Sequence, residues 1–126
     1  MAKLILGNPP KNFKRTVKIT LLNGETADVE ITYKYRTRTQ YAELLDKIIG
    51  KDKDAIETET TKTLAQVFKD SDQASVAYIL DIAEGWDLTD DFNKKNIAAL
   101  IDEHAGAGAL IGEEYRIALL EGKTKN

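Results

Sequence analysis

Two stretches near the beginning of the chain alternate between apolar and polar residues. In residues 16–21 and 27–35 every second side chain is apolar, which is the period of a β-strand with one buried face. A two-residue turn would place the apolar face of one strand beside the charged face of the other, because a one-residue shift flips every side chain. A three-residue loop at 22–24 with a left-handed glycine restores the match. We therefore predict an antiparallel hairpin that pairs Ile19 with Ala27 and Val17 with Val29.

Residues 3–6 could add a third strand at the edge of this hairpin, ended by two prolines that cannot continue a ladder. The next segment has helical periodicity. Thr37 and Gln40 form a capping box, an apolar stripe follows, and Gly50 is expected to end the helix. Residues 51–62 are charged and rich in threonine, which favours a linker or mobile loop. The stripe consists of Tyr41, Leu44, Leu45, Ile48 and Ile49, and a short helix is expected around Leu64, Val67 and Phe68.

The segment 73–88 organises the rest of the prediction. At helical spacing its first ten residues are apolar in nearly every direction, which is typical of a helix packed on several sides. Residues 70–73 provide a capping signal, and Gly85 suits a left-handed position just past the helix end. Trp86, the only tryptophan, is predicted to anchor the core. The structural anchors of this segment are predicted to be Ile79, Leu80, Ile82 and Trp86.

Two further helices are predicted toward the end of the chain. The first follows a turn at 87–91 and places Ile97, Leu100, Ile101 and His104 on one face. Residues 105–108 break it, and the last helix runs to Leu120 with Gly122 as its stop. The core stripe of that last helix consists of Ala107, Leu110, Ile111, Tyr115 and Ala118.

Apolar residues of the last helix extend beyond its core stripe. Ile117 and Leu119 widen the stripe, and Leu120 lies nearly opposite it. Two interpretations stay open: this excess is a partner surface, or strands and the first helix cover it. The candidate partner-binding residues are Tyr115, Ile117, Leu119 and Leu120.

Length and composition predict one α+β domain over residues 1–126, with a hairpin region at 1–36 and a bundle of four to five helices at 37–122. The 42% apolar and 31% charged content is that of an ordinary globular protein. The absence of cysteine excludes disulfides and thiolate chemistry. Neither a membrane-spanning stretch nor a signal peptide is recognisable, so the cytoplasm is the expected compartment.

Charge is distributed unevenly along the chain. Residues 1–40 contain eight Lys or Arg and three Asp or Glu, a net charge of +5, whereas residues 41–126 contain ten and eighteen, a net charge of −8. Such a split is compatible with nucleic-acid binding, but it also draws two parts of one fold together, which we favour. The tyrosines lie on the apolar face of their strand and the basic residues on the other, so they cannot face one nucleic-acid strand together. The residues concerned are Lys18, Lys34, Arg36, Arg38, Tyr33 and Tyr35.

Candidate catalytic and metal-binding residues are sparse. His104 is the only histidine, and its position at a helix end indicates a capping role. Asp87, Asp90 and Asp91 lack the spacing and central glycine of a calcium loop, so we interpret them as turn and capping residues. The chain contains neither a nucleophile elbow nor a phosphate-binding glycine loop. We expect no enzymatic activity, no cofactor and no metal.

Several segments together resemble the tail assembly chaperones of long-tailed bacteriophages and prophages. The hairpin leads into Tyr-Arg-Thr-Arg-Thr-x-Tyr at 35–41, and a helix ends in Gly-Trp-Asp-Leu at 85–88. Phe92 and Asn96 then precede Ile-x-x-Leu-Ile-Asp-Glu at 97–103. The chain departs from the family at Lys95, where a glutamate is more typical, and at His104-Ala105, where an aromatic-proline pair is.

The resemblance implies an α+β protein without catalytic activity that binds the tape measure protein and keeps it soluble during tail assembly. It implies action in the cytoplasm of the bacterial host and absence from the mature virion. Self-association and contact with the tail-tube protein are secondary expectations, and neither nucleic acid nor membrane is expected as a partner. The alternatives are a structural accessory protein of the phage neck or tail end, and a nucleic-acid-binding accessory protein that uses the basic hairpin face.

Overall fold

The computed structural model describes residues 6–7, 9–57 and 63–121 and has an α+β architecture, which confirms the predicted fold class. A three-stranded antiparallel sheet with strand order β1-β2-β3 packs against helices. The elements, in chain order, are β1 (Asn12–Thr20), β2 (Thr26–Lys34), α1 (Arg38–Glu57), α2 (Leu64–Ile82), β3 (Ala83–Trp86), α3 (Lys94–Glu103) and α4 (Ala107–Arg116), followed by a π-helical C-terminal turn (Ile117–Glu121).

The hairpin has the predicted register. Val17 lies opposite Val29 and Ile19 opposite Ala27, so the apolar side chains of both strands share one face. Gly24 has a φ of 89°, and the Gly24 amide donates to the Leu21 carbonyl at 3.0 Å. The three-residue loop and its left-handed glycine are therefore confirmed.

The third strand of the described sheet is one that the sequence pattern did not predict. Strand β3 follows α2 directly and pairs with β2, with Thr32 opposite Gly85 and Ile31 opposite Trp86. Gly85 has no positive φ, so the predicted left-handed helix end at this residue is wrong. The helix ends instead at Ala83, which is already extended at φ −128°, and the chain enters the sheet without a loop. Of the predicted edge strand 3–6, residues 3–5 lie outside the described residues and residue 6 is in a turn.

Two predicted helix boundaries are also wrong. Helix α1 continues through Gly50 to Glu57, so the expected loop does not begin at residue 51; residues 58–62 lie outside the described residues. A glycine inside a helix costs only about 1 kcal/mol, which the remainder of a 20-residue helix can offset. Helix α2 is continuous from Leu64 with Thr63 as its N-cap, so it does not begin at the predicted capping signal at 70–73. Within the helix, the Asp70 carboxylate accepts a hydrogen bond from the Gln66 side chain one turn earlier.

The core lies between the apolar face of the sheet and helices α2, α3 and α4. Helix α2 contacts α3, α4, β2 and β3, as expected for a central helix. It is not buried all round, since Ala77 and Asp81 are exposed. The largest fully buried side chains are Ile31, Tyr33, Ile79, Ile82, Ile97, Ile111 and Tyr115.

Candidate partner-binding surfaces

The residues considered for catalysis or metal binding have structural roles. The Asp87 carboxylate accepts a hydrogen bond from the Glu30 amide at 2.9 Å, which ties the turn after β3 to β2. The Asp90 carbonyl accepts from the Trp86 indole at 2.7 Å. His104 caps α3, with its amide donating to the Leu100 carbonyl. Within the described ranges 6–7, 9–57 and 63–121, no three His, Asp or Glu side chains are arranged to hold a metal ion.

The three basic residues of β1 are paired with acidic neighbours. Lys18 forms an ion pair with Asp28 across the hairpin at 3.2 Å, and Arg15 reaches Glu114 of α4 at 3.4 Å. The second pair joins the basic first part of the chain to the acidic remainder. Tyr33 is fully buried and shares the helix-packed face of the hairpin with Arg15, whereas Lys18 lies on the opposite face. The geometry favours charge pairing within the fold over a nucleic-acid surface.

Tyr115, one of the four predicted partner-binding residues, lies at the centre of an aromatic cluster. Its ring stacks on Tyr33 and Phe13 with centroid distances of 5.2 and 6.1 Å and meets Tyr41 edge-on at 5.6 Å. The side chain is fully buried. Tyr115 therefore contributes packing between α4, the hairpin and α1, and its ring is not at the surface.

Hydrogen bonds fix the Tyr115 hydroxyl in this cluster. It donates to the Lys34 carbonyl at 2.9 Å and accepts from Arg36 Nη1 at 3.1 Å. Burial raises the pKa of Tyr115, and the bond from Arg36 opposes that rise. Because Lys34 ends β2 and Arg36 lies in the segment before α1, this one hydroxyl ties α4 to both.

The other three predicted residues lie in the C-terminal turn. Ile117 is only 9% exposed, Leu119 is half-buried and Leu120 is 42% exposed. Helix α1 contacts this turn, so the fold covers part of the apolar excess. Arg116 is ion-paired with Glu113 and Glu121 on either side of this turn, and the hydrogen bond to Glu113 raises the pKa of Arg116.

Leu119 and Leu120 differ in their surroundings. Leu119 and Ala118 line a shallow depression together with the segment that leads into α1. Leu120 is one of three large apolar side chains that stand out as exposed among the described residues, with Leu6 and Leu22. Among the described residues of the C-terminal turn, the exposed apolar side chain is therefore Leu120, with the half-buried Leu119 beside it.

A second surface was not predicted from the sequence. It is a half-enclosed cavity of about 360 Å³ between α3 and the loop end of the hairpin, which we call the α3 groove. Its apolar walls come from the hairpin, from the segment after β3 and from α3. The lining residues are Ile19, Leu21, Ala27, Val29, Trp86, Leu88, Asp90, Asn96, Ala99, Leu100, Glu103 and His104.

The predicted anchors of the central segment divide between the core and this groove. Ile79 and Ile82 are buried, and Leu80 is half-buried. Trp86 is also half-buried: its ring packs edge-on against Phe92 at 5.1 Å while it lines the α3 groove. The apolar end of the hairpin and the tryptophan at 86 are the sequence signals of this groove, but only the tertiary structure places them opposite α3.

The α+β fold, its exposed leucines and its half-open apolar groove suit contact with other proteins. A family model described as phage tail assembly chaperone matches residues 1–126, the whole chain. The chain therefore belongs to the phage tail assembly chaperone family, which confirms the resemblance seen in its sequence. Comparisons with curated proteins and with solved structures give no match. Within the part of the chain that the structure describes, no helix is both long and apolar enough to cross a membrane.

Proposed function

We propose that this protein binds the tape measure protein of its phage and keeps it soluble until tail-tube protein polymerises around it. The family match over the entire chain carries this proposal. A tape measure protein is long and helical, and its apolar helix faces aggregate unless another surface covers them. A folded domain with exposed apolar side chains can cover such faces by burying them against its own.

The C-terminal turn provides one such surface. Fully burying a leucine side chain contributes roughly 1.5–3 kcal/mol. Leu120 is 42% exposed, so its burial contributes about 1 kcal/mol, or about fivefold in affinity. Replacing it by glutamate places a charge in an apolar contact, which costs more than the lost burial alone.

Co-expression with the tape measure protein of the same phage genome tests this function. We expect wild-type protein to raise the soluble fraction of the tape measure protein and Leu120→Glu to lower that gain, with little change in the melting temperature. Leu6→Glu is the matched control, because it makes the same change at another exposed leucine. A tape measure protein that is equally insoluble with and without the wild-type chain would refute the function. Equal gains from both variants would remove Leu120 from the binding surface.

This function is non-enzymatic and belongs to the cytoplasm of the infected or lysogenic cell. Tail-tube protein is a further partner in the same proposal, since the chaperone must leave as the tube grows. Quantitative mass spectrometry of purified virions separates a chaperone from a structural tail component. We expect the chain to be absent, and one or more copies in every virion would favour the structural role.

A further inference from the structure

The α3 groove combines an apolar floor with an acidic rim. Ile19 and Val29 form its buried floor, while Trp86 and Leu100 are half-buried at its walls. Protein interfaces have this anatomy, with an apolar centre that is often anchored by tryptophan and a polar, hydrated border.

Apolar surface continues beyond the groove toward the hairpin loop. Leu21 lines the groove, and its neighbour Leu22 is fully exposed at the loop. The loop conformation is fixed by the left-handed Gly24, so this leucine is held in solvent by a defined turn. A partner that fills the groove and extends toward the loop would bury both leucines.

The charges at the rim restrict the chemistry of the occupant. Among the described residues, the ionisable groups that line the groove are Asp90, Glu103 and His104, and no lysine or arginine lines it. Both carboxylates are exposed, which leaves them available to charged groups of a partner. An apolar segment flanked by lysine or arginine complements this rim, whereas an acidic segment is repelled.

We propose that the α3 groove binds an amphipathic helix that places two or three apolar side chains on the Trp86–Leu100 wall and lysine or arginine beside Asp90 and Glu103. Helix-in-groove binding of this kind uses apolar residues at i, i+3, i+4 and i+7. The inference rests on the proposed function, because it takes the helix to be a segment of the tape measure protein. Beyond that function, the α3 groove is named as the binding surface, and the bound segment is expected to be an apolar helix flanked by lysine or arginine.

Peptide titration measures this directly, because the only tryptophan of the chain lines the groove. The probes are synthetic 20-residue peptides that tile the tape measure protein, chosen without tryptophan. We expect peptides with apolar helical stripes and flanking Lys or Arg to shift the emission of Trp86. We expect the same peptides with Lys and Arg replaced by Glu to bind at least tenfold more weakly.

Two pairs of variants locate the site. Ala99→Arg fills the groove without removing a core side chain, and we expect it to weaken peptide binding at least tenfold. Ala42→Arg makes the same change at an exposed alanine of α1 outside the groove and should stay within twofold of wild type. Glu103→Lys should weaken binding of basic peptides about fivefold, whereas Asp102→Lys changes the net charge equally at an exposed position that does not line the groove.

The outcomes separate this inference from the function on which it rests. If wild-type chain solubilises the tape measure protein but Ala99→Arg and Ala42→Arg bind its peptides equally, the groove is not the site and the function stands. If wild type neither solubilises the protein nor binds any peptide, both fail. Loss of a homodimer in Ala99→Arg, measured by sedimentation equilibrium, would identify a second copy as the occupant and overturn the inference. A small molecule that native mass spectrometry finds bound to wild type and not to Ala99→Arg would also overturn the inference.

Discussion

Tyr115 offers a sharp test of the packing that joins the helices to the hairpin. Its ring is fully buried between Phe13, Tyr33 and Tyr41, and its hydroxyl bonds to both Lys34 and Arg36. Two substitutions separate the contribution of the ring from that of the hydroxyl. Tyr115→Phe keeps the ring and removes the hydroxyl, and Tyr115→Ala removes both.

The structure sets different magnitudes for the two variants. Tyr115→Phe leaves the Lys34 carbonyl without this donor and removes the Arg36 contact, which costs about 1–2 kcal/mol at roughly 1 kcal/mol per hydrogen bond. Tyr115→Ala also opens a cavity among three other rings, and removing a buried aromatic side chain costs about 3–5 kcal/mol. The second value is a large share of the stability of a domain of this size, which is about 5–15 kcal/mol.

Urea unfolding followed by circular dichroism at 222 nm measures both values. A single transition is expected because residues 1–126 are predicted to form one domain. Tyr115→Phe should also solubilise the tape measure protein as well as wild type does, because a buried hydroxyl is not part of a binding surface. A loss below about 1 kcal/mol for Tyr115→Ala would show that the ring is exposed. Weaker partner capture by a fully folded Tyr115→Phe would return this residue to the binding surface.

Three further predictions concern local geometry and pH. Gly24→Ala should destabilise the fold by about 1 kcal/mol, because residue 24 has a positive φ. Gly85→Ala should change thermal stability by less than about 0.5 kcal/mol, since its new Cβ would lie 3.9 Å from the Thr32 side chain. Equal losses for the two variants would contradict the strand assignment of Gly85. Thr37→Ala should cost about 1 kcal/mol in a urea melt by removing the hydroxyl that caps α1, and an unchanged midpoint would indicate that the cap is dispensable. Burial raises the pKa values of Tyr33 and Tyr78 above 10.0. The unfolded chain therefore loses these protons first, and the free energy of unfolding should fall as pH rises above about 10. The double variant Tyr33→Phe/Tyr78→Phe should show a shallower fall, and a slope identical to that of wild type would place both hydroxyls in solvent.

The sequence pattern correctly predicted those features that depend only on residues close together in the chain. The hairpin register followed from matching apolar faces, and the capping box of α1 followed from a four-residue motif; the structure shows both bonds of that box, at 2.9 and 3.2 Å. Helix ends were less predictable. Gly50 and the polar residues around Asp70 favour helix ends by themselves, but α1 and α2 continue through them.

Strand β3 could not be predicted from local pattern. A four-residue strand that contains a glycine has weak intrinsic β preference, and this one exists because β2 presents a free edge where α2 ends. The same dependence on tertiary structure hid the α3 groove, whose walls come from segments up to 85 residues apart, from Ile19 to His104. The exposure of Leu120 was predictable from helical spacing, whereas the sequence left open whether the fold covers Ile117, which the structure shows buried.

The most direct test of the central claim is whether this chain and the tape measure protein form a defined soluble complex. Both should be co-expressed, purified through a tag on this chain and analysed by size-exclusion chromatography with light scattering. The account predicts one peak that contains both polypeptides, at a mass above that of either alone, and loss of that peak when Leu120→Glu and Ala99→Arg are combined. Elution of this chain by itself, with all tape measure protein in the insoluble fraction, would contradict it.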